Sequence, residues 1–87
     1  MRVKFSKKFS KRHKKTPAKI KSAFENRLDI FINDKFHPQL NNHSLAGKYQ
    51  GLRSINVTGN WRAIFQELQG GEVAYFITID THSNLYK

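Results

Sequence analysis

Two short turns in the second half of the chain restrict the fold more than any other feature of the sequence. Gly59-Asn60 and Gln69-Gly70-Gly71 separate three runs with strand composition: Leu52 to Thr58, Trp61 to Leu68 and Glu72 to Asp80. Connections this short join antiparallel neighbours, because a parallel crossover needs about a dozen residues or more. The three runs therefore form a meander. Val73 to Ile79 is apolar at nearly every position, which suits a strand covered on both faces and makes it the candidate central strand.

Upstream the pattern changes. Val3 and Phe5 alternate with Arg2 and Lys4, a short strand from Arg2 to Phe5. Ser6 to Lys15 reads as a basic helix whose one strong apolar anchor is Phe9. Thr16-Pro17 is a helix start, with Thr16 as N-cap and Pro17 at the first helical position. The second helix runs to about Asn33, with a stripe of Ile20, Phe24, Leu28 and Phe31 widened by Ala23 and Ile32. Two helices meeting through one stripe make an antiparallel hairpin. Phe36 to Gly51 is a polar connection with Pro38, Asn41-Asn42 and two glycines, and ordered loops of that length are often functional. The order strand, helix, helix, three strands predicts an α+β fold of one domain over residues 1–87. Its helical pair covers one face of a small antiparallel meander.

Charge is the second constraint. Lysine and arginine number 16 against 6 acids, a formal net charge of +10. Ten basic residues and no acid lie between Arg2 and Lys21. Such a surplus repels itself in the compact state and favours an anionic partner. Lys7, Lys8, Lys11 and Lys15 are candidates to neutralise phosphates of RNA. The alternative is a solvated helix face. The absence of cysteine excludes disulfides, thiolate nucleophiles and cysteine-ligated zinc, and fits a reducing cytosol. No apolar run approaches the ~20 residues of a membrane span. The basic start resembles a transit peptide in composition, but its residues are those of the first strand and helix. Seven Phe, three Tyr and one Trp supply the apolar area that disordered chains lack.

Four histidines bear on chemistry. His13 lies among lysines and reads as surface; His37 precedes Pro38 and reads as structural loop. His43 lies in the long connection and His82 just past the last strand. Cleaving RNA through its 2′-hydroxyl needs one base and one acid, and histidine serves both. Spacing leaves open whether the two meet, and a histidine read alone is more often a surface or packing residue than a catalyst. No His-x3-His pair or carboxylate cluster suggests a metal, and no cofactor is implied. Arg53 and Arg62 stand in strands, where a guanidinium fork fits phosphate oxygens or pairs with Glu67, Glu72 or a terminal carboxylate. Trp61 suits core or rim packing, or base stacking.

The segment from Asn42 to Tyr86 reads NHSLAGKYQGLRSINVTGNWRAIF and, one strand later, IDTHSNLY. A His-x-Leu-x-Gly loop leads to an arginine-bearing strand. A Trp-Arg pair opens the next strand, and a Thr-His step ends the last. This resembles the toxins of the RelE/ParE superfamily, nearest the YafQ and HigB branches. The resemblance covers about half the chain by motif. It implies two helices on a small antiparallel sheet and a metal-independent endoribonuclease acting in the bacterial cytoplasm. Its implied target is messenger RNA, commonly on the ribosome, and its implied inhibitor is a cognate antitoxin with an acidic segment. It implies catalytic roles for His82, Arg62 and His43, with Arg53 adding charge. Trp61, Tyr86 and Lys48 would bind RNA. The YafQ branch carries a histidine and an aspartate where Asn56 and Asn60 stand here, and an arginine in place of Thr78. Two other functions fit this reading: a ParE-like poison of DNA gyrase, and a non-catalytic RNA-binding module.

Overall fold

In the computed structural model, which describes Met1–Lys87, Ser6 divides the first strand from the first helix. Its hydroxyl accepts from the Phe9 N–H (2.9 Å), capping the helix, and donates to the Ile77 carbonyl (2.8 Å). The cap thus fastens the start of α1 (Lys7–Lys15) to the last strand, while β1 (Arg2–Phe5) pairs alongside it. Thr16 does not cap the second helix. A residue before proline is pushed out of helical geometry, so α1 ends at Thr16. Its hydroxyl bonds back to the Arg12 carbonyl at 2.7 Å. Pro17 takes the cap position of α2 (Ala18–Asn33), and its carbonyl accepts from Ile20 and Lys21. Contacts between the helices widen in sequence away from this junction, Lys21 with Lys14 and then Phe24 with His13 and Phe9, as in an antiparallel hairpin.

The stripe on α2 is shifted from its expected centre. Phe24 and Phe31 are buried, and Ile20, Ala23, Leu28 and Ile30 pack beside them. Ile32 is exposed. At about 100° per residue it falls beyond the Leu28 edge of the stripe, whereas Ile30 falls on the Ala23 side. His13 is half-buried rather than a plain surface residue, stacked on Phe9 with ring centroids 5.9 Å apart.

Five strands form one sheet in the order β1-β5-β4-β3-β2. The meander is β3 (Arg53–Asn56), β4 (Trp61–Leu68) and β5 (Val73–Thr81), antiparallel throughout. The sheet as a whole is mixed, because β1 runs parallel to β5. The long connection contributes an unexpected strand, β2 (His43–Ser44), antiparallel to β3. β5 is interior between β1 and β4, and β4 is the middle strand.

A bulge in β5 sets which side chains face where. Ile64 pairs with Thr78 and Phe65 with Phe76, so Ile77 is an extra residue. Phe76 and Ile79 therefore both join the core although they stand an odd number of positions apart. Phe76 is its hub, with ring centroids 5.2–5.9 Å from Phe5, Phe9, Phe24, Phe31 and Phe65. Directly opposed residues share a face. Arg62 lies across from Asn56 and Asp80, and Ile64 across from Ser54 and Thr78, on the side away from this core. That second face carries the candidate site. No helix is long and apolar enough to cross a membrane.

Candidate active site

Residues from three separate parts of the sequence line one cleft of about 240 Å³: His43, Arg62, and His82 with Tyr86, beside Asn41 and Ser54. Each is held by backbone chemistry that can be named.

Asn41 adopts a left-handed conformation (φ 47°, ψ 48°), which asparagine tolerates better than most residues. The bend places its carbonyl oxygen 2.7 Å from Nδ1 of His43. A carbonyl can only accept, so Nδ1 carries the proton, and the neutral ring keeps its lone pair on Nε2. β2 sets His43 directly across from the buried Ser54.

The turn between β3 and β4 holds two of the others. Arg62 Nη1 donates to the carbonyls of Thr58 (2.9 Å), Gly59 (3.1 Å) and Trp61 (3.1 Å). Its Nε and Nη2 are left unbonded, ready for an anion. The Asn60 carbonyl accepts from the backbone N–H of His82 at 2.8 Å. His82 opens the closing helical turn α3 (His82–Leu85), for which Thr81 is the N-cap. Asp80 accepts from the Thr81 N–H (2.8 Å) and Asn84 Nδ2 (3.1 Å), and pairs with Arg12 of α1. Across from Arg62, the buried Oδ1 of Asn56 has no partner.

Tyr86 follows α3, and its ring lies 4.8 Å from that of His82. Tyr49 buttresses it from the long connection, edge-on at 5.5 Å. The Tyr49 hydroxyl donates to the Leu85 carbonyl at 2.9 Å, and Lys48 Nζ stands 5.2 Å from the Tyr49 ring. Burial, and secondarily the charge of Asp80, push the Tyr49 phenol above its ordinary value of 10.0, so it remains a donor.

Other candidates stand elsewhere. Arg53 lies across from Phe65 and so points away from the cleft. Its Nε donates to Asn42 Oδ1 (2.8 Å), and its guanidinium lies 5.6 Å from the Phe36 ring. Glu67 pairs with Lys35 and with neither strand arginine. Trp61 packs against the core. Lys48 touches Tyr49 but does not line the cleft. Lys7, Lys8, Lys11 and Lys15 form one face of α1 with Arg12. His37 caps the helical turn Pro38–Leu40, its Nδ1 accepting from the Gln39 N–H. No three histidine or carboxylate side chains converge on one point.

Sequence reasoning passed over Asn41, Ser54, Tyr49 and Asp80. The Asn41-Asn42 pair carried a usable signal, since asparagine favours left-handed turns. Tyr49 and Ser54 offered none, because their roles arise from pairings 36 and 11 residues away.

No family model matches the sequence. No curated protein matches it either. Solved structures do match. The YafQ structure from E. coli strain BL21(DE3) superposes with a TM-score of 0.80 at 21% identity, covering 100% of both chains. The E. coli DinJ-YafQ toxin-antitoxin complex matches at 0.77 and 21%, over 98% of this chain and 96% of that one. The archaeal RelE-RelB complex from Pyrococcus horikoshii OT3 matches at 0.72 and 20%, over 92% of each. Over nearly its whole length the chain thus has the fold of the YafQ and RelE toxins.

Proposed function

We propose that this protein is the toxin of a type II toxin-antitoxin system, an endoribonuclease that cuts messenger RNA on the ribosome in the cytoplasm. The observation that carries the reading is the meeting of His43 and His82 in the cleft that also holds Arg62. Such a set supplies a base, an acid and a fixed positive charge.

In the proposed reaction Nε2 of His43 takes the proton from a ribose 2′-hydroxyl. The 2′-oxygen attacks the adjacent phosphorus, and Nε and Nη2 of Arg62 stabilise the charge that builds on the phosphoryl oxygens. The bond from phosphorus to the 5′-oxygen breaks, and protonated His82 delivers a proton to that oxygen. The products are a 2′,3′-cyclic phosphate and a 5′-hydroxyl end. Tyr86, 44% exposed beside His82, stacks on a base or ribose. The cationic face of α1 binds ribosomal RNA without regard to sequence. The partner proposed for the free protein is an antitoxin whose acidic segment covers the basic surface and excludes RNA. YafQ is found in a toxin-antitoxin complex with DinJ, and RelE in a complex with RelB, which supports a partner of this kind.

The test is incubation of purified protein with translating ribosomes, mapping cuts by primer extension and identifying the new ends chemically. Cuts bearing cyclic phosphate support the proposal. DNA breaks without RNA cuts assign the fold to gyrase poisoning instead. RNA binding with neither product leaves a non-catalytic module.

A further inference from the structure

Phe36 is 59% exposed, more than any other large hydrophobic residue of the chain. It follows α2 at the start of the long connection and adds nothing to the core. Two cations attend its ring: Lys35 Nζ and the Arg53 guanidinium carbon each lie 5.6 Å from its centroid. Lys35 also pairs with Glu67 at 3.3 Å. Arg53 faces no carboxylate, and its Nη1 has no hydrogen-bond partner. A strand arginine turned out of the cleft and laid against an exposed phenyl ring calls for an explanation.

Asn42 links this patch to the cleft. Its Oδ1 accepts from Arg53 Nε (2.8 Å) and its Nδ2 donates to the Lys35 carbonyl (2.9 Å). Its chain neighbours Asn41 and His43 line the cleft. This three-residue ribbon offers a polymer leaving the cleft a route toward Phe36. An aromatic face beside unspent guanidinium N–H groups is the combination that holds single-stranded nucleic acid: the ring stacks on a base and the cation neutralises the adjoining phosphate. An acidic peptide would use the charge, but has less use for the flat exposed ring.

We infer that Phe36 and Arg53, with Lys35, form a second nucleotide site, which stacks a base of the RNA strand outside the cleft and pairs with its phosphate. This rests on the ribonuclease reading of the cleft and extends it to the path of the substrate. Phe36 then sets how long a substrate must be for tight binding, and has no part in bond cleavage.

The probes are a fluorescein-labelled, mixed-sequence 12-mer RNA and a trinucleotide, both 2′-O-methylated so that neither is cut. Fluorescence anisotropy gives the affinities of the wild type and of Phe36→Ala, Phe36→Trp and Arg53→Gln over a range of salt. Phe36→Ala should weaken the 12-mer about tenfold, within the range of base–aromatic stacking, and leave its salt slope unchanged. Phe36→Trp should restore binding. Arg53→Gln should reduce the slope by about 0.7, the value for one phosphate of a single strand. Trinucleotide binding should stay within about twofold in all variants, as should the melting temperature of Phe36→Ala. Unchanged 12-mer affinity in Phe36→Ala overturns the second site while leaving the cleft reading intact. Equal losses for both probes overturn it too, since Phe36 would then act on the cleft. A wild-type protein that binds neither probe overturns the RNA reading together with this one. If Phe36→Ala binds RNA normally but loses its antitoxin, the patch is a protein contact and the inference fails.

Discussion

Nδ1 of His43 lies 2.7 Å from the carbonyl oxygen of Asn41, a residue held in the left-handed region. The contact fixes which nitrogen of the neutral ring keeps a lone pair, so backbone geometry two residues upstream prepares the proposed base. Asn41→Gly should preserve the bend and therefore cleavage. Asn41→Val places a β-branched side chain where the backbone strain alone costs about 1–2 kcal/mol. It should lower kcat with little change in RNA affinity. His43→Ala should lower kcat about 100-fold or more and flatten the acidic limb of the pH–rate profile, which single-turnover cleavage across pH will read. An acidic limb that persists in His43→Ala would assign the base elsewhere.

His82 is exposed, and only its backbone N–H anchors α3 to the Asn60 carbonyl. His82→Ala should thus abolish cleavage and toxicity while the melting temperature and antitoxin binding stay close to wild type. If His82 only packed the strand end, stability and activity would fall together. Thermal denaturation beside a growth assay separates the two.

Arg62 spends Nη1 on three carbonyls of its own turn and keeps Nε and Nη2 free. Lysine retains the charge but not the fork. Arg62→Lys should therefore lose most of the ~100-fold or greater effect that Arg62→Gln loses, since one oriented donor is commonly worth that much. Recovery of near-wild-type kcat in Arg62→Lys would mean that charge alone suffices.

Tyr49→Phe removes the hydrogen bond to Leu85 but keeps the ring against Tyr86. The phenol is raised in the folded state by burial and by Asp80. The native protein therefore holds this proton more tightly than the unfolded chain. Its contribution to stability is complete below about pH 10 and is lost as pH rises through the folded value. Urea denaturation at neutral and strongly alkaline pH should show a smaller alkaline loss in Tyr49→Phe than in the wild type.

Replacing Lys7, Lys8, Lys11 and Lys15 with Gln should weaken binding to ribosomal RNA and flatten its salt dependence, by about one unit of slope per lost phosphate contact. Codon preference should not change. A mutant with an unaltered slope would show that this face is only solvated.

The meander was legible because its turns are local: two or three residues at Gly59-Asn60 and Gln69-Gly71 leave no other connection. The second helix was legible for the same reason, through a stripe repeating within one segment. β2 was not, since two residues in a polar loop become a strand only when β3 lies beside them. The Ile77 bulge was equally hidden, because an all-apolar strand gives no alternation whose interruption can be seen. The placement of Arg53 could have been read. Arg53 and Ile55 alternate with Ser54 and Asn56, so a buried Ile55 already puts Arg53 on the side away from Arg62. His43, His82 and Arg62 were singled out by their chemistry and Tyr86 through motif resemblance, but the cleft that gathers them depends on sheet register.

The nine-residue helix α1 presents Lys7, Lys8, Lys11, Arg12 and Lys15 on one face, and of these only Arg12 is paired with a carboxylate. Dissolved salt then acts on this protein with two opposite signs. Counterions that screen the five cations from each other relieve repulsion within the fold and raise its resistance to unfolding. Under the proposed function the same counterions would compete with phosphate and loosen RNA. On that reading, the ionic strength at which the free protein is sturdiest is accordingly not the one at which it would grip RNA best, and a bound acidic chain would supply the first condition by occupying the surface needed for the second.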